Sequence, residues 1–148
     1  MITRLGHIAM RTGDLPQSLR FYTDVLGLNE AFRLYGEDGA LGAVYVYIAP
    51  YQFLELFANG ERPAERGPGV IGVCHLCLEV PDIQEAYARV RERGGPLDSE
   101  VIVGRAKCLQ FWTHDPDGNA VELMALPEES LQAQATRRLA PDAGMSIT

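Results

Sequence analysis

A pattern of apolar and polar residues occurs twice along the chain. Residues 6–27 and 74–95 each begin with a short apolar strand that carries a histidine at its second position. An aspartate follows in each segment, Asp14 or Asp82, and it can accept hydrogen bonds from the free N–H groups of a helix's first turn. Apolar residues then recur at helical spacing up to a glycine, which predicts one helix in each segment.

Three further strands are predicted in each half. They cover residues 30–35, 41–49 and 51–58 in the first half, and 98–103, 106–114 and 119–126 in the second. The segment 115–119, DPDGN, predicts a tight turn because Gly118 can adopt positive φ. The chain is therefore predicted to be an α+β protein built from two βαβββ units.

The repeat also predicts the domain organisation. No linker rich in Pro, Gly or Ser separates the two halves, so we expect a single domain over residues 1–126. Its two modules would span about residues 1–60 and 70–126. Residues 127–148 fall outside the repeat and are expected to form a C-terminal helix and tail.

Composition and charge narrow the classes of partner. The 148 residues carry a formal net charge of −7, and a nucleic-acid backbone repels such a surface. No apolar run approaches the roughly 20 residues that span a bilayer, and the N-terminus lacks the pattern of a signal peptide. We therefore expect a cytoplasmic protein that acts on a small molecule, with neither nucleic acid nor membrane as partner.

Two histidines and two glutamates occupy equivalent positions of the two repeats. They are His7 and His75 in the first strands, and Glu55 and Glu122 in the last strands. The two histidines are separated by nearly the same number of residues as the two glutamates. Because side chains alternate along a strand, Glu55 shares its face with Phe53 and Phe57, and all four residues are predicted to lie on buried faces. An unpaired carboxylate on such a face is costly.

Each of these residues alone has an ordinary explanation. A histidine in an apolar strand is more often a hydrogen-bonded core residue than a ligand, and a strand glutamate can face solvent. Together, two neutral imidazoles and two carboxylates would balance the charge of one divalent ion. We therefore predict a single metal ion held by His7, Glu55, His75 and Glu122, with Ni, Co or Zn as first candidates and Mn or Fe as further ones. His114 has no counterpart in the other half, and we interpret it as a surface residue or one that supports the site.

Four motifs carry a resemblance to a known family. They are residues 6–28, the LEL around Glu55, GVCHLCLEV (72–80) and DPDGNAVELM (115–124). Over about residues 4–126 the chain resembles the vicinal oxygen chelate superfamily, which contains glyoxalases, bleomycin resistance proteins and dioxygenases. Within it, the chain is most similar to bacterial-type glyoxalase I, lactoylglutathione lyase. The resemblance implies an eight-stranded, cup-shaped incomplete barrel and a homodimer, often with sites shared between subunits.

The resemblance also implies an activity. Glyoxalase I isomerises the hemithioacetal of a 2-oxoaldehyde and a thiol through an enediolate. Glu122 matches the position of the catalytic base, and Glu55 its counterpart on the opposite face of the substrate. Arg11 and Asn59 match residues that hold glutathione, so glutathione or another thiol is the expected cosubstrate. Two features depart from the family: Gly60 replaces an aromatic residue, and the basic residues of the VGRAK segment (103–107) are displaced.

Three other functions fit parts of the pattern. A CoA-ester epimerase of the same fold uses a closely similar set of ligands. A non-catalytic antibiotic-binding protein uses the fold without metal, and the complete ligand set argues against it. A metal-dependent dioxygenase uses two histidines and one glutamate, which would leave Glu55 unexplained.

Overall fold

Two four-stranded sheets, one from each half of the chain, form the body of the protein. The computed structural model describes residues 2–61, 69 and 71–140. The first half contains β1 (His7–Arg11), α1 (Leu15–Arg20) with a π-helical continuation over Phe21–Val25, β2 (Asn29–Tyr35), β3 (Leu41–Ala49) and β4 (Gln52–Phe57). The second half contains β5 (Leu76–Glu79), α2 (Ile83–Glu92), β6 (Ile102–Val103), β7 (Leu109–His114) and β8 (Ala120–Ala125), and α3 (Leu131–Leu139) follows. Of the described helices, none is both long enough and apolar enough to cross a membrane.

The two predicted helices begin where the aspartates indicate. The Asp14 carboxylate accepts from the backbone N–H of Gln17 at 2.9 Å. The Asp82 carboxylate accepts from those of Gln84 and Glu85 at 2.8 and 3.0 Å. Each cap satisfies N–H groups that have no partner within the helix, which confirms the predicted start of α1 and α2.

One predicted strand is much shorter than expected. We predicted a strand over 98–103, whereas β6 covers only Ile102–Val103. Side chains replace part of the missing strand ladder: the Ser99 hydroxyl oxygen accepts from the Trp112 N–H at 3.0 Å, and the Thr113 hydroxyl donates to the Pro96 carbonyl at 2.7 Å. These bonds hold the segment before β6 beside β7 although it is not a strand. The alternation of apolar and polar residues therefore predicted a strand that is too long.

Both sheets have the same strand order. The first runs β1-β4-β3-β2 and the second β5-β8-β7-β6, and no hydrogen-bonded strand pair joins the two sheets in the described part of the chain. In each sheet the first strand pairs parallel with the last, and the other neighbours pair antiparallel. The predicted fold class, an α+β protein with two βαβββ repeats, is confirmed.

One face of each sheet packs on the helices and the other is open. The buried residues form a single cluster that includes members of both halves: Leu15, Phe21, Tyr22, Val44, Val46, Leu54, Leu56, Leu76, Leu78, Ile83, Val90, Phe111, Val121 and Leu123. By contrast, β2 is exposed along its whole length. The open faces carry the predicted site residues, because side chains alternate between the two faces of a strand.

A buried hydrogen bond joins the two halves. The Tyr22 hydroxyl donates to an Asp115 carboxylate oxygen at 3.0 Å, and both residues are almost completely buried. Burial, and then the charge of Asp115, raises the pKa of Tyr22 well above its usual value, so the hydroxyl remains a donor. Asp115 also accepts from the backbone N–H groups of Asp117 and Asn119. The DPDG turn of the second half is thereby fixed against the π-helical continuation of α1 in the first half.

Replacing Tyr22 by phenylalanine should test this contact. The change removes a hydrogen bond to a buried carboxylate, which is worth about 1.5–3 kcal/mol of unfolding free energy. Tyr87→Phe is the matched control, because the Tyr87 hydroxyl donates to Glu100 at 2.9 Å in an exposed position where water can replace it. We expect the control to lose less than about 1 kcal/mol in urea unfolding. Equal losses for the two variants would contradict this account of the junction.

Candidate metal centre

Each sheet brings one predicted histidine next to one predicted glutamate on its open face. The His7 Nε2 lies 3.4 Å from a Glu55 Oε atom, and the His75 Nε2 lies 3.1 Å from a Glu122 Oε atom. We call these the N-terminal pair and the C-terminal pair. The parallel pairing of first and last strands places them, since Ala9 lies opposite Glu55 in the register and Cys77 opposite Glu122. The histidine two residues earlier then reaches across to the glutamate.

The two members of each pair differ in burial. The Glu55 and Glu122 side chains are only 8% and 11% exposed, whereas the His7 and His75 side chains are 48% and 35% exposed. The prediction that all four residues lie on buried faces is therefore wrong for the histidines in the single chain. Alternation along a strand predicts which residues share a face, but it does not tell whether another element covers that face.

The single chain keeps the two pairs apart. Among the described residues, no group of three or more His, Cys, Asp and Glu side chains is placed to hold a metal ion. The structure thus joins His7 with Glu55 and His75 with Glu122, and it does not gather all four within one chain. The four-ligand set stays a prediction. A single chain supplies its members as two separate pairs, the N-terminal and the C-terminal pair.

Aromatic residues flank both histidines, and the sequence reasoning missed them. The Tyr45 ring lies 5.8 Å from the His7 ring, and the Trp112 ring lies 4.9 Å from the His75 ring, both edge-on. In the sheets, Tyr45 lies opposite Glu55 and Trp112 opposite Glu122. Each aromatic residue precedes its glutamate by the same number of residues, so comparing the repeats would have found them.

Two titratable groups lie opposite the glutamates in the sheets, Tyr45 beside Glu55 and Cys77 beside Glu122. Burial, together with a hydrogen bond to Glu55 and the charge of that carboxylate, raises the pKa of Tyr45. Burial, followed by the charge of Glu122 and a hydrogen bond to it, raises the pKa of Cys77 to about 12. Both groups therefore stay protonated near neutral pH.

The predicted thiol-binding residues lie at the far end of β1. Arg11 lies on the same face of this strand as His7, with its guanidinium carbon 5.3 Å from the centre of the Phe57 ring. It also lines a cavity of about 150 Å³ between α1 and the DPDG turn. Asn59 is exposed and adopts a left-handed turn conformation with φ of 59°. Their role in binding a substrate stays a prediction.

The departure at Gly60 has a structural cause. The Gly60 N–H donates to the Thr12 carbonyl at 2.9 Å, so the two backbones lie close together. A Cβ atom at position 60 would lie 3.1 Å from the carbonyl carbon of Arg11 and 3.1 Å from its Cβ. An aromatic side chain at this position would therefore require the start of the loop after β1 to shift.

The third histidine, His114, contacts Asp98 rather than either glutamate of the two pairs. The His114 Nδ1 lies 2.9 Å from both carboxylate oxygens of Asp98, and this contact is exposed. His114 therefore serves below as a matched control for the two paired histidines.

The paired residues fit a divalent metal ion chemically. In the ion pairs formed by the described residues, Glu55 and Glu122 have a half-exposed histidine as their partner rather than Lys or Arg. A nearly buried carboxylate without a permanent cation is costly, and a bound divalent ion would remove this cost. Imidazole nitrogen and carboxylate oxygen are ligands suited to Ni, Co, Zn, Mn or Fe.

Comparison with known proteins agrees with the fold. The lactoylglutathione lyase of Salmonella typhimurium is 32% identical over 127 residues, which cover 82% of this chain and 91% of the lyase. Biphenyl-2,3-diol 1,2-dioxygenase 3 of Rhodococcus globerulus is 29% identical over 134 residues, which cover 86% of this chain and 67% of the dioxygenase. The crystal structure of the glyoxalase family protein from Enterococcus faecalis shares the fold, with a TM-score of 0.66 and 24% identity over 82% of this chain and 96% of that one.

A family profile matches most of the chain. It covers residues 4–123, which include both histidines and both glutamates of the two pairs. The chain belongs to the Glyoxalase/Bleomycin resistance protein/Dioxygenase superfamily.

Proposed function

We propose that the protein is a metal-dependent isomerase, of the lyase class, that acts on the hemithioacetal of a 2-oxoaldehyde and a thiol through an enediolate. The observation that carries the proposal is the pair of one half-exposed histidine and one nearly buried glutamate, which occurs once in each sheet. The similarity to a lactoylglutathione lyase over 91% of that enzyme's length supports it.

The metal would be held by the four paired residues. His7, Glu55, His75 and Glu122 would supply two nitrogen and two oxygen ligands, and other positions would be left for the substrate. A divalent ion held there would supply Lewis-acid chemistry, which would lower the pKa of the substrate C–H bond that the protein deprotonates.

The protein's own groups would move the proton and hold the thiol. The Glu122 carboxylate accepts the proton from C1 of the hemithioacetal and returns it to C2, and Glu55 is the counterpart on the opposite side. The Arg11 guanidinium suits a carboxylate of glutathione, since arginine can hold a carboxylate through two hydrogen bonds. Asn59 suits a peptide amide. The aromatic rings beside both histidines keep water from the reacting carbons.

A homodimer would complete the site. One chain presents the N-terminal and the C-terminal pair on two open faces and keeps them apart. We propose that the N-terminal pair of one subunit meets the C-terminal pair of its partner, so that each dimer has two four-ligand sites. The exposed strand β2 and its neighbours leave apolar surface for such a contact.

A dioxygenase is the second candidate. The relative from Rhodococcus globerulus carries that name and covers 86% of this chain. Glu55 favours the isomerase, because a set of two histidines and one glutamate leaves no role for a second buried carboxylate. Protein loaded with Fe(II) should be assayed with an aromatic diol and with the hemithioacetal of methylglyoxal and glutathione. Ring cleavage without isomerisation would replace the first proposal with the second.

Metal binding is the first expected result. Purified protein refolded with Ni, Co or Zn should hold about one ion per chain. His7→Ala or His75→Ala should weaken binding by more than the roughly 10–100-fold that loss of an outer-shell partner causes. His114→Ala should bind the metal as the wild type does, because His114 contacts Asp98 rather than either glutamate. Wild-type protein without metal, measured by elemental analysis, would refute the proposed centre.

Mixing two inactive variants tests whether subunits share the site. His7→Ala and His75→Ala chains should each be inactive, yet a mixed dimer has one site that contains all four ligands. Random pairing makes about half of the dimers mixed, each with one intact site of two, so about a quarter of wild-type turnover should return. Differently tagged chains confirm that mixed dimers form. Mixed dimers without activity would show that the sites are not shared.

The proposed role of Glu122 as a base can be tested separately from its proposed role as a metal ligand. In Glu122→Gln, an amide oxygen still coordinates a metal but cannot accept the proton. Turnover at saturating metal should therefore fall by about 10²–10⁴-fold, while metal occupancy falls much less. Glu55→Gln should reduce turnover less. Full occupancy with near-normal turnover in Glu122→Gln would place the base elsewhere.

A further inference from the structure

The open face of the first sheet carries a cluster of aromatic rings. We call its four members the aromatic wall: Phe32, Tyr45, Tyr47 and Phe53. Phe32 on β2 lies opposite Tyr45 on β3. Tyr47, further along β3, lies opposite Phe53 on β4. The four rings share the face of Glu55, because Tyr45 lies opposite Glu55 and Phe53 precedes it by two residues. The aromatic wall therefore adjoins the N-terminal pair.

The rings of the wall hold one another in place and leave part of their surface open. The Phe32 ring stacks on the Tyr45 ring, with the two centres 4.4 Å apart. The Phe53 ring lies edge-on to the other three, at distances of 5.9, 6.0 and 6.3 Å. Phe32 and Tyr47 are nevertheless 45% and 38% exposed. A contiguous apolar patch that is fixed in this way is typical of a surface that binds a ligand.

Among the described residues, the second sheet carries no equivalent wall. Ala120 stands where the first sheet has Phe53. His114 lies opposite Ala120, where the first sheet has Tyr47. These differences leave Trp112 as the aromatic ring of β7 on that open face. The two open faces therefore differ chemically, and aromatic surface is concentrated beside the N-terminal pair.

The position of the wall along the strands indicates which part of a substrate it would meet. The pairing of β1 with β4 begins at Phe53 in the wall. It passes Glu55 and ends opposite Arg11, the residue proposed to hold the thiol. The wall and Arg11 thus lie towards opposite ends of this face, with Glu55 between them. A substrate whose reacting oxygens lie near Glu55 and whose thiol part extends towards Arg11 would direct its aldehyde-derived substituent towards the wall.

We propose that the aromatic wall binds an aryl substituent on the aldehyde-derived part of the substrate, so that the protein favours aryl 2-oxoaldehydes over methylglyoxal. A ligand ring can stack on the fixed rings or meet them edge-on, and such a pair is favourable beyond the burial of its apolar area. A methyl group leaves most of the wall exposed. The assignment to a 2-oxoaldehyde rests on the proposed function, whereas the preference of the wall for a ring can be measured without turnover.

Binding of two 2-hydroxy acids tests the wall without any reaction. Mandelate carries a phenyl group where lactate carries a methyl group. In titration calorimetry with Zn added, the wild type should bind mandelate about 10-fold more tightly than lactate. Phe53→Leu and Phe32→Leu keep an apolar side chain without a ring, and each should remove most of this preference. Tyr51→Leu is the matched control and should retain it, because Tyr51 is exposed and its ring contacts Arg4 outside the wall.

Turnover supplies the second part of the test. The hemithioacetals of phenylglyoxal and of methylglyoxal, each formed with glutathione, are compared by their kcat/KM values. The ratio of the two values should fall by about 10-fold from the wild type to Phe53→Leu and stay unchanged in Tyr51→Leu. Because the ratio is compared between proteins, the intrinsic difference in reactivity between the two aldehydes cancels.

The outcomes separate this inference from the proposed function. A preference for mandelate that the wall variants lose supports the inference even if neither hemithioacetal is turned over and the proposed function fails. Turnover of both hemithioacetals at a ratio that neither wall variant changes overturns the inference and leaves the proposed function standing. A preference for mandelate that both wall variants retain also overturns it, and so does binding of neither acid, as expected if a partner subunit covers the wall. Phe32 is exposed, so Phe32→Leu decides the test if Phe53→Leu does not fold.

Discussion

The parallel pairing of the first and last strands in each half is the constraint on which the rest of the structure depends. Two parallel neighbours cannot be joined by a tight turn, so a crossover must separate them. Here α1 or α2 and two further strands form that crossover. The helix covers one face of the sheet and leaves the other open. A histidine at the start of the first strand and a glutamate in the last are thereby brought together on the open face.

Duplication of this unit explains why each half carries one histidine paired with one glutamate. Each sheet supplies one imidazole and one carboxylate, whereas a catalytic metal typically takes at least three protein ligands. The junction of Tyr22 with Asp115 and the shared core fix the two sheets so that their pairs do not meet within the chain. Both repeats have the histidine and the glutamate but differ in the neighbouring residues, since Tyr45 corresponds to Trp112 and Ala9 to Cys77. The two equivalent carboxylates therefore lie in different surroundings.

The sequence predicted the helix starts and the residues that share a strand face, but it did not predict what covers each face of a sheet. Asp14 and Asp82 predicted both helix starts because capping is a contact between near neighbours in the chain. The glutamates were correctly placed beside the histidines because alternation and the repeat define strand faces. The short β6 was missed because Ser99 replaces backbone pairing with a side-chain bond to the Trp112 N–H. The exposure of His7 and His75 was missed because it depends on what covers a sheet, and no local pattern encodes that.

The buried glutamates connect the stability of the fold with its chemistry. In the chain alone, the carboxylates of Glu55 and Glu122 are withdrawn from water, and each is paired with a histidine that is itself accessible to solvent. A pair of this kind compensates only part of the desolvation of the carboxylate, because water screens the exposed partner. A group that binds the folded state there stabilises the fold by mass action, in proportion to the logarithm of its concentration over its dissociation constant. A cation bound at these positions would therefore also stabilise two charges whose burial is otherwise unfavourable.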